Sequence, residues 1–136
     1  MHTALKAFLE APKISELRGE VYLKRFDVTF IVSAMSDNQL SEYQQRALKS
    51  TPKKNAKILE SLDFGKYKRL VVCNHVLEPN IGDPEFLRAG GYGTIEDFII
   101  DKLTAGEISE IFAKIVEISG MSSGNFDEGI EEAKNS

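Results

Sequence analysis

Ile108, Ile111, Phe112, Ile115 and Ile118 recur at the three- and four-residue spacing of one helix face, and no proline interrupts them before Gly120. A stripe that apolar has to be covered, so the rest of the chain must supply a layer to bury it. Immediately upstream, Ile95, Phe98, Ile99 and Leu103 keep the same spacing behind Thr94 and Asp97, a capping-box pattern. Only Thr104-Ala105-Gly106 separates the two helices, which favours a compact pair. Gly120 is placed to end the second one in a left-handed conformation.

The covering layer can be read from the preceding residues. Asp63 is a suitable cap for a helix from Phe64 to Leu77. Tyr67, Leu70, Val71 and Asn74 form one stripe on it and Val72, Cys73 and Val76 another, so it is predicted to be central and buried. Pro79 ends it. Asp83 with Pro84 at the first helical position opens a short helix through Phe86 and Leu87, which Gly90 to Gly93 stop. At the start of the chain, Leu5, Phe8 and Leu9 mark a short amphipathic helix closed by Pro12. Glu20–Leu23 and Asp27–Ser33 read as strands, and Lys24-Arg25-Phe26 between them is too short for a crossover, so an antiparallel hairpin is expected. Ser36 and Gln39 form a second capping box, ahead of a helix with Leu40, Tyr43 and Ala47 on its inner face.

The fold expected is therefore α+β and mainly α-helical, with an N-terminal β-hairpin packed on a small helical bundle. A chain of 136 residues suits one globular domain, over residues 1–120, followed by a flexible acidic tail at 121–136, where Ser, Gly, Asn, Asp and Glu dominate. No apolar run reaches the roughly 18 residues that cross a bilayer, and the first residues lack the layout of a secretory signal, so the chain is expected to stay in the compartment that makes it.

Residues 1–80 hold thirteen Lys/Arg against nine Asp/Glu, and residues 81–136 four against twelve. The C-terminal part thus repels nucleic acid. Arg46, Lys53, Lys54, Lys57, Lys66 and Arg69 support an alternative reading, a nucleic-acid-binding regulatory protein, but no aromatic stacking platform is interleaved with them. Lys49–Lys57 itself reads as an exposed loop, and nucleic acid is not the expected partner.

No catalytic set can be assembled. Cys73 and His75 lie at i and i+2, which point apart on a helix, and no second Cys/His cluster completes a metal site. Cys73 is expected to be a small buried hydrophobe and His75 partly solvated. The Gly90–Gly93 stretch follows a helix and lacks the Gly-Lys-Ser/Thr ending of a phosphate loop. Glu96, Asp97, Asp101, Glu107, Glu110 and Glu117 mostly oppose the apolar stripes, where a helix exposes its charges. An enzyme is not expected, nor is a cofactor or a metal.

Several quoted elements occur in an order that resembles the tail assembly chaperones of long-tailed phages and of Gram-positive prophages. They are Lys24-Arg25-Phe26 between two strands, Asp63-Phe64 through Glu78-Pro79-Asn80, Gly82-Asp83-Pro84-Glu85-Phe86-Leu87, Leu103-Thr104-Ala105-Gly106-Glu107-Ile108, Ile118-Ser119-Gly120-Met121 and Glu132-Ala133-Lys134-Asn135. The resemblance implies a non-enzymatic protein of the host cytoplasm. It would bind the tape measure protein, a long apolar helical chain, and help recruit tail tube subunits, with no membrane involved. It also implies production in two lengths by ribosomal slippage, which Ala133-Lys134-Asn135 permits. The apolar strip for such a partner is expected at Ile100 and Val116 on the last two helices, with Phe126 and Ile130 in the tail.

Overall fold

A computed structural model describes residues 1–49 and 61–121. Six helices and three strands occur among them: α1 (Thr3–Glu10), β1 (Arg18–Leu23), β2 (Val28–Ser33), α2 (Asp37–Arg46), α3 (Phe64–His75), β3 (Val76–Glu78), α4 (Pro84–Gly90), α5 (Ile95–Lys102) and α6 (Ala105–Ile118). A short 3₁₀ turn at Ile14–Glu16 leads from α1 toward β1.

The hairpin forms as expected, pairing Arg18 with Ser33 at its open end and Leu23 with Val28 at the turn. Asp27 holds a φ of 53° in that turn, a conformation aspartate tolerates better than most residues. Its carboxylate accepts a hydrogen bond from the Tyr22 hydroxyl at 2.6 Å. Period-two alternation buries Val21, Leu23, Phe30 and Val32 on one face and leaves Tyr22 outside.

That inner face meets the helices. α6 packs across β1 and β2 and against α3, while α3 also touches α2 and α5. Ile111 and Ile115 are fully buried, as their spacing predicts, and the Phe112 ring stands edge-on to Tyr67 at 5.7 Å and to Phe64 at 5.8 Å. Gly19 permits the close approach of α6 to β1, since a Cβ there would come within 3.1 Å of Ile118 and Lys114. The caps at Ser36, Asp63 and Thr94 each accept a backbone N–H as anticipated, Ser36 within a complete capping box. Gly91 and Gly120 take left-handed conformations after α4 and α6, at φ 76° and 85°.

Three expectations need correction. The central helix stops at His75 instead of Leu77, and Val76–Glu78 becomes a third strand, antiparallel to β2 in the order β1-β2-β3. Glu78 precedes Pro79 and is biased toward extended backbone, and Val76 is β-branched, so pairing to the free edge of β2 outweighs another helical turn. Asn74 faces outward and donates its side-chain amide to the Leu70 carbonyl. The connection between α5 and α6 is shorter than Thr104-Ala105-Gly106: Thr104 is itself the cap of α6, in a capping box with Glu107.

Candidate functional site

Where the hairpin turn meets α4 and α5, the apolar interior opens into a groove of about 620 Å³ lined by Phe26, Phe30, Phe86, Tyr92, Phe98 and Leu103. Each side chain is brought there by a local feature already described. Phe26 sits in the hairpin turn, and Phe86 on α4 behind the Asp83-Pro84 start. The reversal at Gly91 swings Tyr92 back over the groove, and Phe98 lies on the inner side of α5. Phe98 stands edge-on to Phe86 at 5.1 Å and to Tyr92 at 5.7 Å, and the Tyr92 hydroxyl donates to Asp101 at 2.6 Å. Rings fixed in this way present apolar area at little entropic cost, which suits a recognition surface.

The groove wall is pinned by Arg25. Its guanidinium donates from Nη2 to Glu107 at 2.7 Å and from Nε to the same carboxylate at 3.2 Å, reaches the Lys102 carbonyl, and lies 4.1 Å from the centre of the Phe26 ring. The turn is thereby fixed to the α5–α6 junction. Arg25 and the Thr104 amide hold the Glu107 carboxyl down from its ordinary 4.5 to about 2. A depressed carboxylate stabilises the fold above its unfolded pKa and loses that contribution as pH falls toward the folded one. The melting-temperature gap between wild type and Arg25→Met is therefore expected at neutral pH and should close as pH drops from about 4.5 toward 2. An equal gap across that range in thermal melts would dissociate Arg25 from the Glu107 titration.

Several other chemistry-bearing side chains are occupied elsewhere, whereas Lys66 is exposed on α3. Arg69 pairs with Glu96 at 3.0 Å and Arg46 with Glu42 at 3.8 Å, while Lys68 donates to the Ser109 hydroxyl at 3.0 Å. Lys53, Lys54 and Lys57 lie outside the described residues. His75 is not partly solvated but buried, at 2% exposure, because the turn into β3 carries it under α2. There its Nε2 shares a hydrogen bond with the Tyr43 hydroxyl at 2.8 Å and its Nδ1 one with Ser33 at 3.1 Å. Burial pushes the Cys73 thiol up to about 11, so it is a poor nucleophile at neutral pH. Among the described residues no cluster of three or more His, Cys, Asp or Glu could hold a metal, and no helix is long and apolar enough to cross a membrane.

Compared with known families, residues 5–134 match the model of the phage XkdN-like tail assembly chaperone proteins. The chain belongs to that family. Among solved structures, this tail assembly chaperone is similar to the crystal structure of the protein YqbN, with 20% identity over 85% of this chain and 94% of that chain and a TM-score of 0.60. That likeness concerns the fold. A search of curated proteins gave no match. Family membership gives the chain a role in phage tail assembly.

The contact residues expected for such a chaperone are dispersed. Ile100 is 58% exposed on the outer side of α5, away from the groove. Val116 is corrected to a core position at 1% exposure: the stripe of α6 is broad enough to include it, and the surrounding layers cover it. Phe126 and Ile130 lie outside the described residues. The groove itself was missed, although Phe86, Tyr92 and Phe98 recur every six residues around the glycines. That recurrence was the available signal.

Proposed function

We propose that this tail assembly chaperone, acting as one globular unit over residues 1–120, binds a helical segment of the tape measure protein in the aromatic groove. In the host cytoplasm it thereby keeps that chain soluble while tail tube subunits are recruited. The observation that carries this reading is the groove: Phe26 and Phe86 stay 38% and 39% exposed beside a sealed core. An amphipathic helix laid into an apolar groove through a few anchors gives a specific yet reversible contact, as a transient coat requires. Ile100 is proposed to widen the contact on α5.

Co-expression with tape measure fragments tests the assignment. Wild type is expected to bring helical fragments into the soluble fraction and to co-purify with them. Phe86→Ser, at an exposed position that leaves the core intact, should weaken capture by about tenfold or more. Undiminished capture by Phe26→Ser and Phe86→Ser variants that melt like wild type would place the contact elsewhere.

A further inference from the structure

The two edges of the sheet are not alike. β3 forms one of them with three residues and a register shift against β2, so it offers little regular main chain. β1 forms the other, with six residues paired to β2 without a shift. Proline, lysine, bulges and inward-pointing charges are the usual devices that keep a strand edge from accepting another strand, and β1 has none of them.

The phase of the hairpin ladder decides which groups that edge presents. The Ala34 amide donates to the Leu17 carbonyl at 3.3 Å, so Leu17 and Ala34 form a hydrogen-bonded pair. Such pairs alternate along an antiparallel ladder, which makes Gly19, Val21 and Leu23 the residues bonded to β2. Arg18, Glu20 and Tyr22 therefore direct their N–H and C=O groups to the free edge, and no turn or loop backbone among the described residues bonds to them. Each of the three offers one donor and one acceptor. A helix cannot use such a row, because its own main-chain groups are bonded internally, whereas an extended strand can.

Beside this edge the surface is already hollow. A second groove, of about 470 Å³, lies between β1 and α6, with Glu20 and Tyr22 on the strand side, Glu110, Lys114 and Glu117 on the helix side, and the half-buried Ala113 among them. Glu110, Ala113 and Glu117 fall in one row along α6. The cations nearby are engaged: Lys114 pairs with Glu117 at 3.2 Å, and the Arg18 guanidinium turns back onto the Ser15 and Leu17 carbonyls. Glu20 and Glu110 are exposed and in no ion pair among the described residues, so they set the sign of the groove. Opposite charges across adjacent strands are favourable and like charges are not, so the occupant is basic.

We propose that β1 is a docking edge for an extended, lysine- or arginine-bearing segment of a partner protein, which joins the sheet as a further strand. Its main chain bonds to Arg18, Glu20 and Tyr22, and its basic side chains, at alternate positions, face Glu110 and Glu117 across the groove. Main-chain bonds supply the affinity of such an added strand and the alternate side chains its specificity. The site shares no lining residue with the aromatic groove, so a strand on this edge and a helix in that groove do not compete for a surface, and neither reading depends on the other.

Residue-resolved hydrogen exchange of the full 136-residue chain tests the proposal, with a short peptide alternating lysine with threonine and valine as the probe at low ionic strength. In the free chain the Glu20 and Tyr22 amides are expected to exchange readily while those of Val21 and Leu23 are protected, and excess peptide should slow Glu20 and Tyr22 by about tenfold or more. The same peptide with glutamate in place of lysine should bind at least about tenfold more weakly. Glu20→Pro removes an outward N–H without touching the ladder bonds of Gly19, Val21 and Leu23, and it should weaken binding to a similar degree. Should that variant fail to fold, Glu110→Gln/Glu117→Gln, altered only at exposed positions, reads the charge contribution instead and should also bind about tenfold more weakly. The proposal is overturned by equal protection of all four amides in the free chain, by slowing confined to α4 and α5, by no slowing at all, by equal binding of the glutamate peptide, or by full binding to either variant in its folded form.

Discussion

Replacing Ile111 by Asp is expected to unfold the chain at room temperature. Ile111 has no exposed surface and lies where α6 crosses the sheet and meets α3. Among the described residues the buried side chains are apolar apart from His75, which is engaged by Tyr43 and Ser33, so a carboxylate there meets no lysine or arginine in the core. Losing the buried isoleucine costs about 2–4 kcal/mol, and burying an uncompensated carboxyl adds several more. A domain of this size has only about 5–15 kcal/mol of stability to lose. Ile100→Asp supplies the control: its side chain is exposed, so its melting temperature should stay within a few degrees of wild type. Circular dichroism on both variants distinguishes the two faces, and an Ile111→Asp protein that melts like wild type would show that the face of α6 assigned to the core is the wrong one.

The contrast between Ile111 and Val116 also shows what could be read from sequence. Periodicity fixes which residues share a face, and it located Ile111 and Ile115 correctly because the two lie at the centre of the stripe. It does not fix how wide a face the neighbours will cover. Val116 lies at the stripe's margin, and only the closeness of the packed layers, visible at Gly19 against Ile118, makes it core. Caps were legible for a related reason: Ser36, Asp63 and Thr94 act on backbone N–H groups three residues away, so the interaction is local and encoded locally.

Long-range features were the ones that escaped. β3 exists because β2 offers a free edge at the point where α3 runs out, and nothing in Val76-Leu77-Glu78 announces that edge. The groove depends likewise on Arg25 reaching Glu107, 82 positions away, to fix the hairpin turn beside α5. Lys24-Arg25-Phe26 looked like a plain turn. Its physical content is a clamp, Arg25, next to a groove-lining ring, Phe26. With the arginine side half exposed, the pair adds a modest stability that is read in the Arg25→Met melts, and its larger effect is to position the turn.

His75 owes its environment to the same unforeseen strand, and its burial is expected to make the fold sensitive to mild acid. The ring lies between Ser33 on β2 and Tyr43 on α2 and stands edge-on to the Tyr43 ring at 5.6 Å. Both hydroxyls can donate or accept, so hydrogen bonding alone admits either the neutral or the cationic ring. Desolvation decides: burial lowers the His75 pKa below its ordinary 6.5, and the contact with Ser33 opposes this to a lesser degree. In a folded state that disfavours the cation, the unfolded chain takes up the proton first. The stabilisation is thus complete above the unfolded pKa and declines as pH falls through the window below it, by at most about 1.4 kcal/mol per pH unit for one group. Wild type is therefore expected to lose melting temperature between about pH 7.5 and 5.5, above the range where carboxylates titrate. His75→Gln keeps a polar group between the two hydroxyls but cannot titrate, so its melting temperature, although lower at neutral pH, should be nearly flat over the same interval. Tyr43→Phe keeps the imidazole and removes one partner, so it should retain the downward slope. Parallel declines in wild type and His75→Gln would assign the acid sensitivity to some other group and leave His75 only a packing role.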